Sequence, residues 1–519
     1  LFRTTDKERF RDFKFCETDG KNTFNQKEGF FVKKFKKAMA LSLALAMGLS
    51  TVACGESGGS TTAAATEAAT EAATEAAGKE ETEAATEAAT EAATEATGSK
   101  EVINLWTFTD EVPGMVDKFL EANPDFPYEV NATIIATTDG AYQPALDQAL
   151  AAGGADAPDF YCAEEAFVLK YTKGDMSSFA CPYEDLGIDV DAEVSAAEIA
   201  PYTVDIGTNN DGKLVALGYQ STGGCFIYRR SIAKDVFGTD DPKEIGAIIG
   251  AGSGNFDKFF EAAETLKGKG VSILSGMGDL WTVIKHSADQ GWLSDDGKLQ
   301  IDPKIEQYMD YSKTLIDNGY TNDTSAWGDA WFADMKDEGT NPVFGFFGPA
   351  WLINYTLAPN CGGEKVGEGT YGDWAVCEPP VGFFWGGTWL MANKDSDKKE
   401  AVGQIIDWIT LNCTETGLQY YWANGTLNGE GGTKDVVASN TVLGISDGKL
   451  DFLGGQDMFE AFIPANSYAS GKTMTQYDET INNAWQDQAS QYAHGEKDKD
   501  TAIADFKTNV TDQLGIEAQ

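Results

Sequence analysis

The chain has 519 residues and a formal net charge of -43, from 82 acidic and 39 basic side chains, and its only histidines are His286 and His494. A surface this acidic repels polyphosphates and excludes nucleic acid as a partner, and two histidines leave little scope for histidine-based catalysis. Hydrophobic residues at 42 % and aromatics at 11 % supply apolar surface for roughly two or three domain-sized units.

From the N-terminus, residues 1–53 carry a net charge of +5 and the rest of the chain -48. Lys33, Lys34, Lys36 and Lys37 precede an uncharged run, Ala38–Gly55, whose apolar centre is Met39–Met47. A basic segment, about 15 apolar residues and then small residues read as an export signal. The run is shorter than the roughly 20 residues a membrane-spanning helix needs. Residues 1–31 are polar and lie ahead of that signal, so Val32, followed by Lys33 and Lys34, reads as an alternative start. The end of the run, Leu49-Ser-Thr-Val-Ala-Cys54-Gly55, resembles the lipobox of bacterial lipoproteins, with Thr51 where those usually have Leu. That resemblance implies cleavage before Cys54, a lipid on its sulfur, and a place on the outer face of the cell membrane, attached through the lipid alone.

After Cys54, residues 55–100 are built on Thr-Glu-Ala-Ala repeats with ten Glu, two Lys and no large apolar residue. Such a segment cannot pack a core. Its glutamates recur at i and i+4, where like charges oppose a helix by a few tenths of a kcal/mol per pair. We read residues 54–100 as the lipidated cysteine and a solvated tether.

The folded unit spans 101–519. Val102–Trp106 reads as a strand and Thr107–Pro113 as a loop. Val116, Phe119 and Leu120 predict a helix over 114–122, ended by Asn123-Pro124, and a second strand is expected over 128–135. Further helices are expected over 256–267, 398–412, 480–493 and 501–514. Strand–helix alternation of this kind predicts an α/β architecture with mainly parallel sheets.

Six segments then carry a resemblance. They are Asn104-Leu-Trp106 with Glu121-Ala-Asn-Pro124; Leu150 to Pro158-Asp159; Gly212-Lys-Leu-Val-Ala-Leu-Gly-Tyr219; Phe226-Ile-Tyr228 with Phe256-Asp-Lys-Phe259; Phe344-Gly-Phe-Phe-Gly348-Pro-Ala-Trp351; and Gly386-Gly387 with the helix after it. In this order they resemble extracellular solute-binding proteins of the maltose-binding type. The resemblance implies a two-lobed, periplasmic-binding-protein-like (type II) α/β fold with a hinge and an inter-lobe cleft. Lobe one would cover about 101–219 and 383–430, and lobe two about 220–382 and 431–519. It also implies a monomer that closes on its ligand by hinge motion. The ligand is then passed to the permease subunits of an ABC importer, driven by a separate ATPase, with no cofactor and no metal.

All twelve tryptophans fall after residue 105. A flat indole buries area against the C–H face of a pyranose, and carboxylates accept strong hydrogen bonds from the ring hydroxyls. The resemblance points to Trp351, Trp485 and Trp281 as stacking rings, with Trp385 and Trp106 standing between cleft and core. Trp327 and Trp331, four apart, are read as one face of a helix packed in the core, and Trp408 as core. Asp110 and Glu111 follow the first strand, Glu164 and Glu165 follow Pro158-Asp159, and Tyr219 and Gln220 lie at the expected crossing between lobes; all six are candidate sugar contacts. An oligosaccharide is therefore the expected ligand. A peptide or polyamine, which so acidic a surface could attract, is the alternative, and a surface glycoside hydrolase using two carboxylates is a third reading.

No phosphate-binding Gly-x-x-x-x-Gly-Lys-Ser/Thr, Gly-x-Ser-x-Gly or His-Glu-x-x-His occurs in the chain. The closest cysteine spacing, 16 residues, excludes Cys-x-x-Cys zinc sites. Six cysteines remain after Cys16 and Cys54, and both six free thiols and a Cys361–Cys377 disulfide are open.

Overall fold

The computed structural model describes residues 100–519 apart from 138, 139 and 430. The leader, Cys54 and the Thr-Glu-Ala-Ala segment lie outside the described residues. Eight strands build two sheets. They are β1 (Glu101–Thr107), β2 (Tyr128–Ile134), β3 (Phe160–Glu164), β4 (Leu217–Gly218), β5 (Cys225–Arg229), β6 (Gly345–Gly348), β7 (Trp374–Cys377) and β8 (Thr388–Ala392). The first sheet runs β2-β1-β3-β8-β4 and the second β6-β5-β7.

Period-two burial places Ile103, Leu105 and Thr107 on the inner face of β1, each at 0 % exposure. β1 pairs parallel with β2 and β3, through helical crossovers. The expectation of mainly parallel sheets fails beyond that point. β8 lies antiparallel to β3 and β4, and β5 is antiparallel to both β6 and β7. A parallel neighbour needs a crossover that returns to the same edge. β8 instead enters from the second sheet, and no such constraint acts on it.

The first helix also begins earlier than its spacing predicts, at Glu111 rather than Gly114. Pro113 does not interrupt it, because the first turn of a helix has no intrahelical use for the missing N–H. Phe119 on this helix meets Trp408 on Lys399–Thr410, ring centroids 5.7 Å apart, so Trp408 is a core residue.

Three chain segments connect the sheets side by side. Gly224 N donates to Phe383 O at 3.0 Å, Trp385 N to Thr222 O at 3.0 Å, and Ser221 N to Val436 O at 2.9 Å. A Cβ at Gly224 would lie 2.0 Å from the Phe383 ring, so the crossing strands approach as closely as they do only with glycine there. In the third segment Ser439 N donates to Gln419 Oε1 at 2.7 Å, and Asn440–Gly444 packs on the helix Leu418–Ala423.

Two apolar clusters result. One surrounds the first sheet and continues through Trp351, Trp385 and Trp331; the other holds Phe226, Phe259, Trp281, Trp485 and Phe506. Cys361 belongs to the first and Cys377 to the second. All six cysteines of the described residues are free, so of the two open alternatives the structure has the free thiols and not the Cys361–Cys377 disulfide. Cys361 Sγ faces the carbonyls of Ala358 and Gly363 at 3.1 and 3.2 Å instead.

Candidate functional site

Where the crossing segments leave the second sheet, four tryptophans meet. Trp351 stands in the helical turn Ala350–Leu352 directly after β6 and Pro349, and Trp385 lies on the crossing segment before Gly386-Gly387. Trp351 Nε1 donates to the Trp385 carbonyl at 2.9 Å, and the two rings stand edge to face at 4.8 Å. Trp327 lies nearly parallel to Trp351, 13° between planes and 6.2 Å between centroids, and Trp331 packs against Trp327 at 5.3 Å. The helix holding Trp331 is Asp329–Asp334, so Trp327 precedes it and is not on its face. Trp331 is core, as expected, at 1 % exposure, whereas Trp327 is only half-buried.

Carboxylates flank this indole cluster on the first sheet's side. Glu164 ends β3 and caps the helix Glu165–Thr172, accepting from Ala166 N at 2.9 Å. A Cβ on Gly386 would sit 3.6 Å from Trp351 Nε1 and 3.7 Å from Glu164 Oε1, so the indole and the carboxylate border the same glycine. Glu165 is 3.8 Å from Lys285 Nζ, which arrives at the end of the helix Met277–Ile284. Asp478 and Glu479 open the helix Asp478–Ala493 against the same lysine. Burial drives the Glu164 carboxyl well above the usual range, and the charge of Glu165 adds to it while Lys285 opposes. Burial likewise pushes Asp478 up to about 7, against the opposing hydrogen bonds from Thr475.

A second polar group gathers around Glu111. Tyr219 donates a hydrogen bond to Glu111, and Trp422 stacks on Tyr219 at 5.1 Å. Gln220 Nε2 donates to Asp435 Oδ2 at 2.7 Å, and Val436 N to Asp435 Oδ1 at 2.7 Å. Burial pushes Glu111 to about 7, with the Tyr219 hydrogen bond opposing and Asp110 adding. Asp435 also rises to about 7, chiefly through burial, with the charge of Glu111 adding and hydrogen bonds from Val436 and Gln220 opposing. Tyr355, one turn beyond Trp351, feels the charges of both Asp435 and Glu111, which ties this group to the indole cluster.

The structure thus gathers Trp351, Trp385, Glu164 and Glu165 in one group and Asp110, Glu111, Tyr219 and Gln220 in the other. It does not bring Trp485, Trp281 or Trp106 to either. Trp485 is at 0 % exposure, between Trp292 at 5.7 Å and Phe506 at 4.9 Å. Trp281 is at 3 % exposure against Tyr308 at 4.8 Å. Trp485 packs on the helix Lys499–Leu514 and Trp281 on Pro303–Asn318, so both lie in the second core rather than standing as stacking rings. Trp106 is half-buried at the end of β1, packed on the first core. Spacing within the chain offers no sign of Lys285, Tyr355, Trp422, Asp435, Asp478 or Glu479, which reach the site only through tertiary contacts. Among the described residues no three His, Cys, Asp or Glu side chains converge as a metal ion requires.

The model of the bacterial extracellular solute-binding protein family matches residues 105–412, more than half of the chain. No curated protein matches. Among solved structures, an extracellular solute-binding protein of family 1 superposes with a TM-score of 0.64 at 16 % identity, covering 79 % of this chain and 99 % of its own. The galacto-N-biose/lacto-N-biose I-binding protein of the ABC transporter from Bifidobacterium longum, in complex with lacto-N-biose, gives 0.59 at 18 % identity, covering 81 % and 100 %. The sugar-binding protein MalE from Xanthomonas citri gives 0.59 at 15 % identity, covering 80 % and 97 %. These are two-lobed proteins, and the two sheets joined by the crossing strands are the two lobes of that α/β fold. With indoles and carboxylates gathered where the lobes meet, and more than half of its length matched by the family model, this chain belongs to the bacterial extracellular solute-binding proteins.

Proposed function

We propose that this chain is the substrate-capturing lipoprotein of an ABC importer, and that it holds an oligosaccharide between its lobes without breaking a bond. Cys54 carries the lipid, residues 55–100 tether the folded unit, and the permease subunits with their separate ATPase receive the ligand. Lobe one is 101–219 with 383 to about 444, and lobe two is the remainder. The observation that carries the reading is the Trp351 indole beside Glu164 at the junction of the two sheets: a flat apolar face bordered by a charged acceptor, which is what a pyranose ring requires. Several sugar-binding neighbours support the same ligand class. Closure follows from contacts that the second lobe adds to the bound ligand, since a ligand shifts a hinge only by its differential affinity.

Calorimetric titration of the folded chain with neutral oligosaccharides, spermidine and short peptides tests this. Binding of an oligosaccharide alone is expected, and the sugar is recovered intact after prolonged incubation. Binding of spermidine or a peptide in its place would move the ligand to those classes, and shorter saccharide products would make the chain a hydrolase.

A further inference from the structure

The proposed saccharide site raises a question of access, and the answer rests on that reading of the cleft. A stacking plate works only with an open face, yet Trp351 is 4 % exposed. Trp385 closes one side edge-on, and Trp327 covers the face at a 6.2 Å centroid distance. A sugar ring between two parallel plates needs about 3.5–4 Å to each, roughly 7 Å or more in all. One ring must therefore leave before a pyranose can stack.

Two of the four indoles are hydrogen-bonded, and a third tryptophan is held by its backbone. Trp351 is bonded to the Trp385 carbonyl at 2.9 Å, Trp385 N to Thr222 O at 3.0 Å, and Trp331 Nε1 to Asp279 at 3.0 Å. Trp327 is not. Its Nε1 is buried with no partner among the described residues, and its backbone φ is +68°, a left-handed conformation that a bulky side chain adopts at a cost. The loop is fixed on either side of it. Thr324 N donates to Ser275 O at 3.2 Å, its hydroxyl meets Ser275 Oγ at 2.5 Å, and Gly328 N closes a turn on Ser325 O at 3.1 Å.

We propose that Trp327 is an internal occupant of the saccharide site. Its indole covers Trp351 and swings aside when a sugar ring takes its place, which exposes the orphan N–H to water or to a ligand hydroxyl while the turn around it stays closed. The device sets specificity: only a ligand with its own flat apolar face can replace the packing that the departing indole gives up, so a small polar solute or a polyamine does not displace it.

Trp327→Gly suits the left-handed backbone, and Trp327→Asn tolerates it. Each is titrated calorimetrically with the oligosaccharide that the wild type binds, and association is followed by stopped-flow fluorescence. Both variants are expected to bind about tenfold tighter, the gain from removing a covered form that outnumbers the open one by about ten to one. The observed association rate should saturate with ligand in the wild type and rise linearly in the variants. Unchanged or weaker affinity in variants that melt cooperatively makes Trp327 a bystander or a second plate and overturns the proposal alone. If no saccharide binds wild type or variant, the functional reading falls, and this proposal falls with it.

Discussion

Trp485→Ala is expected to destabilise the folded chain by about 3–5 kcal/mol, the range for deleting a large aromatic from a packed core, while the folded fraction keeps its affinity for saccharide. Trp485 lies at 0 % exposure between Trp292 and Phe506, joining the helix Asp478–Ala493 to Lys499–Leu514, and its removal leaves a cavity that rigid helices close poorly. Trp485→Phe should cost much less. The indole Nε1 is buried without a partner among the described residues, so phenylalanine deletes an unsatisfied donor along with part of the ring. Urea denaturation of the three proteins, with calorimetry below the transition, separates the effects. A folded Trp485→Ala protein that no longer binds sugar would return this ring to the cleft.

Stability is also expected to fall as pH rises from 5 to 8. Glu111, Asp435 and Asp478 are each pushed up to about 7, chiefly by burial. A carboxyl whose folded pKa exceeds its unfolded value keeps its proton in the fold. Its stabilisation is complete below the unfolded value near 4 and is lost as pH passes through about 7. One such group is worth about 3 kcal/mol between pH 5 and pH 8. Self-repulsion of a chain at -43 acts in the same direction. Thermal melts at constant ionic strength should therefore give a higher midpoint at pH 5 than at pH 8, and Glu111→Gln, which removes one titrating group, should flatten the slope. A midpoint that rises towards pH 8 would mean these carboxylates are charged and well paired in the fold.

Much of this architecture is legible from local pattern. The β1 alternation and the helices at 257–267 and 399–410 appear where spacing places them, because each depends on neighbours in sequence. The antiparallel β8 is not legible, since its direction is set by a chain returning from the other lobe. The tryptophans divide along the same line. Trp351 is pointed to by the family resemblance and stands in the helical turn after β6, whereas Trp485 and Trp281 lie on helices whose inward faces are set by Lys499–Leu514 and Pro303–Asn318. Spacing by four misplaces Trp327 on a helix face, because it does not show that the chain enters the left-handed region one residue before the helix cap at Gly328. Lys285, Asp435 and Asp478 are ordinary surface residues by composition and become site residues only when crossing strands bring them in.

The most direct measurement is the oligosaccharide affinity of Trp351→Ala against wild type, by calorimetry at one pH. Loss of the stacking plate should weaken binding by about 1–3 kcal/mol, roughly ten- to a hundredfold, by analogy with aromatic platforms for nucleic-acid bases. An affinity equal to that of the wild type would mean that no sugar ring rests on Trp351.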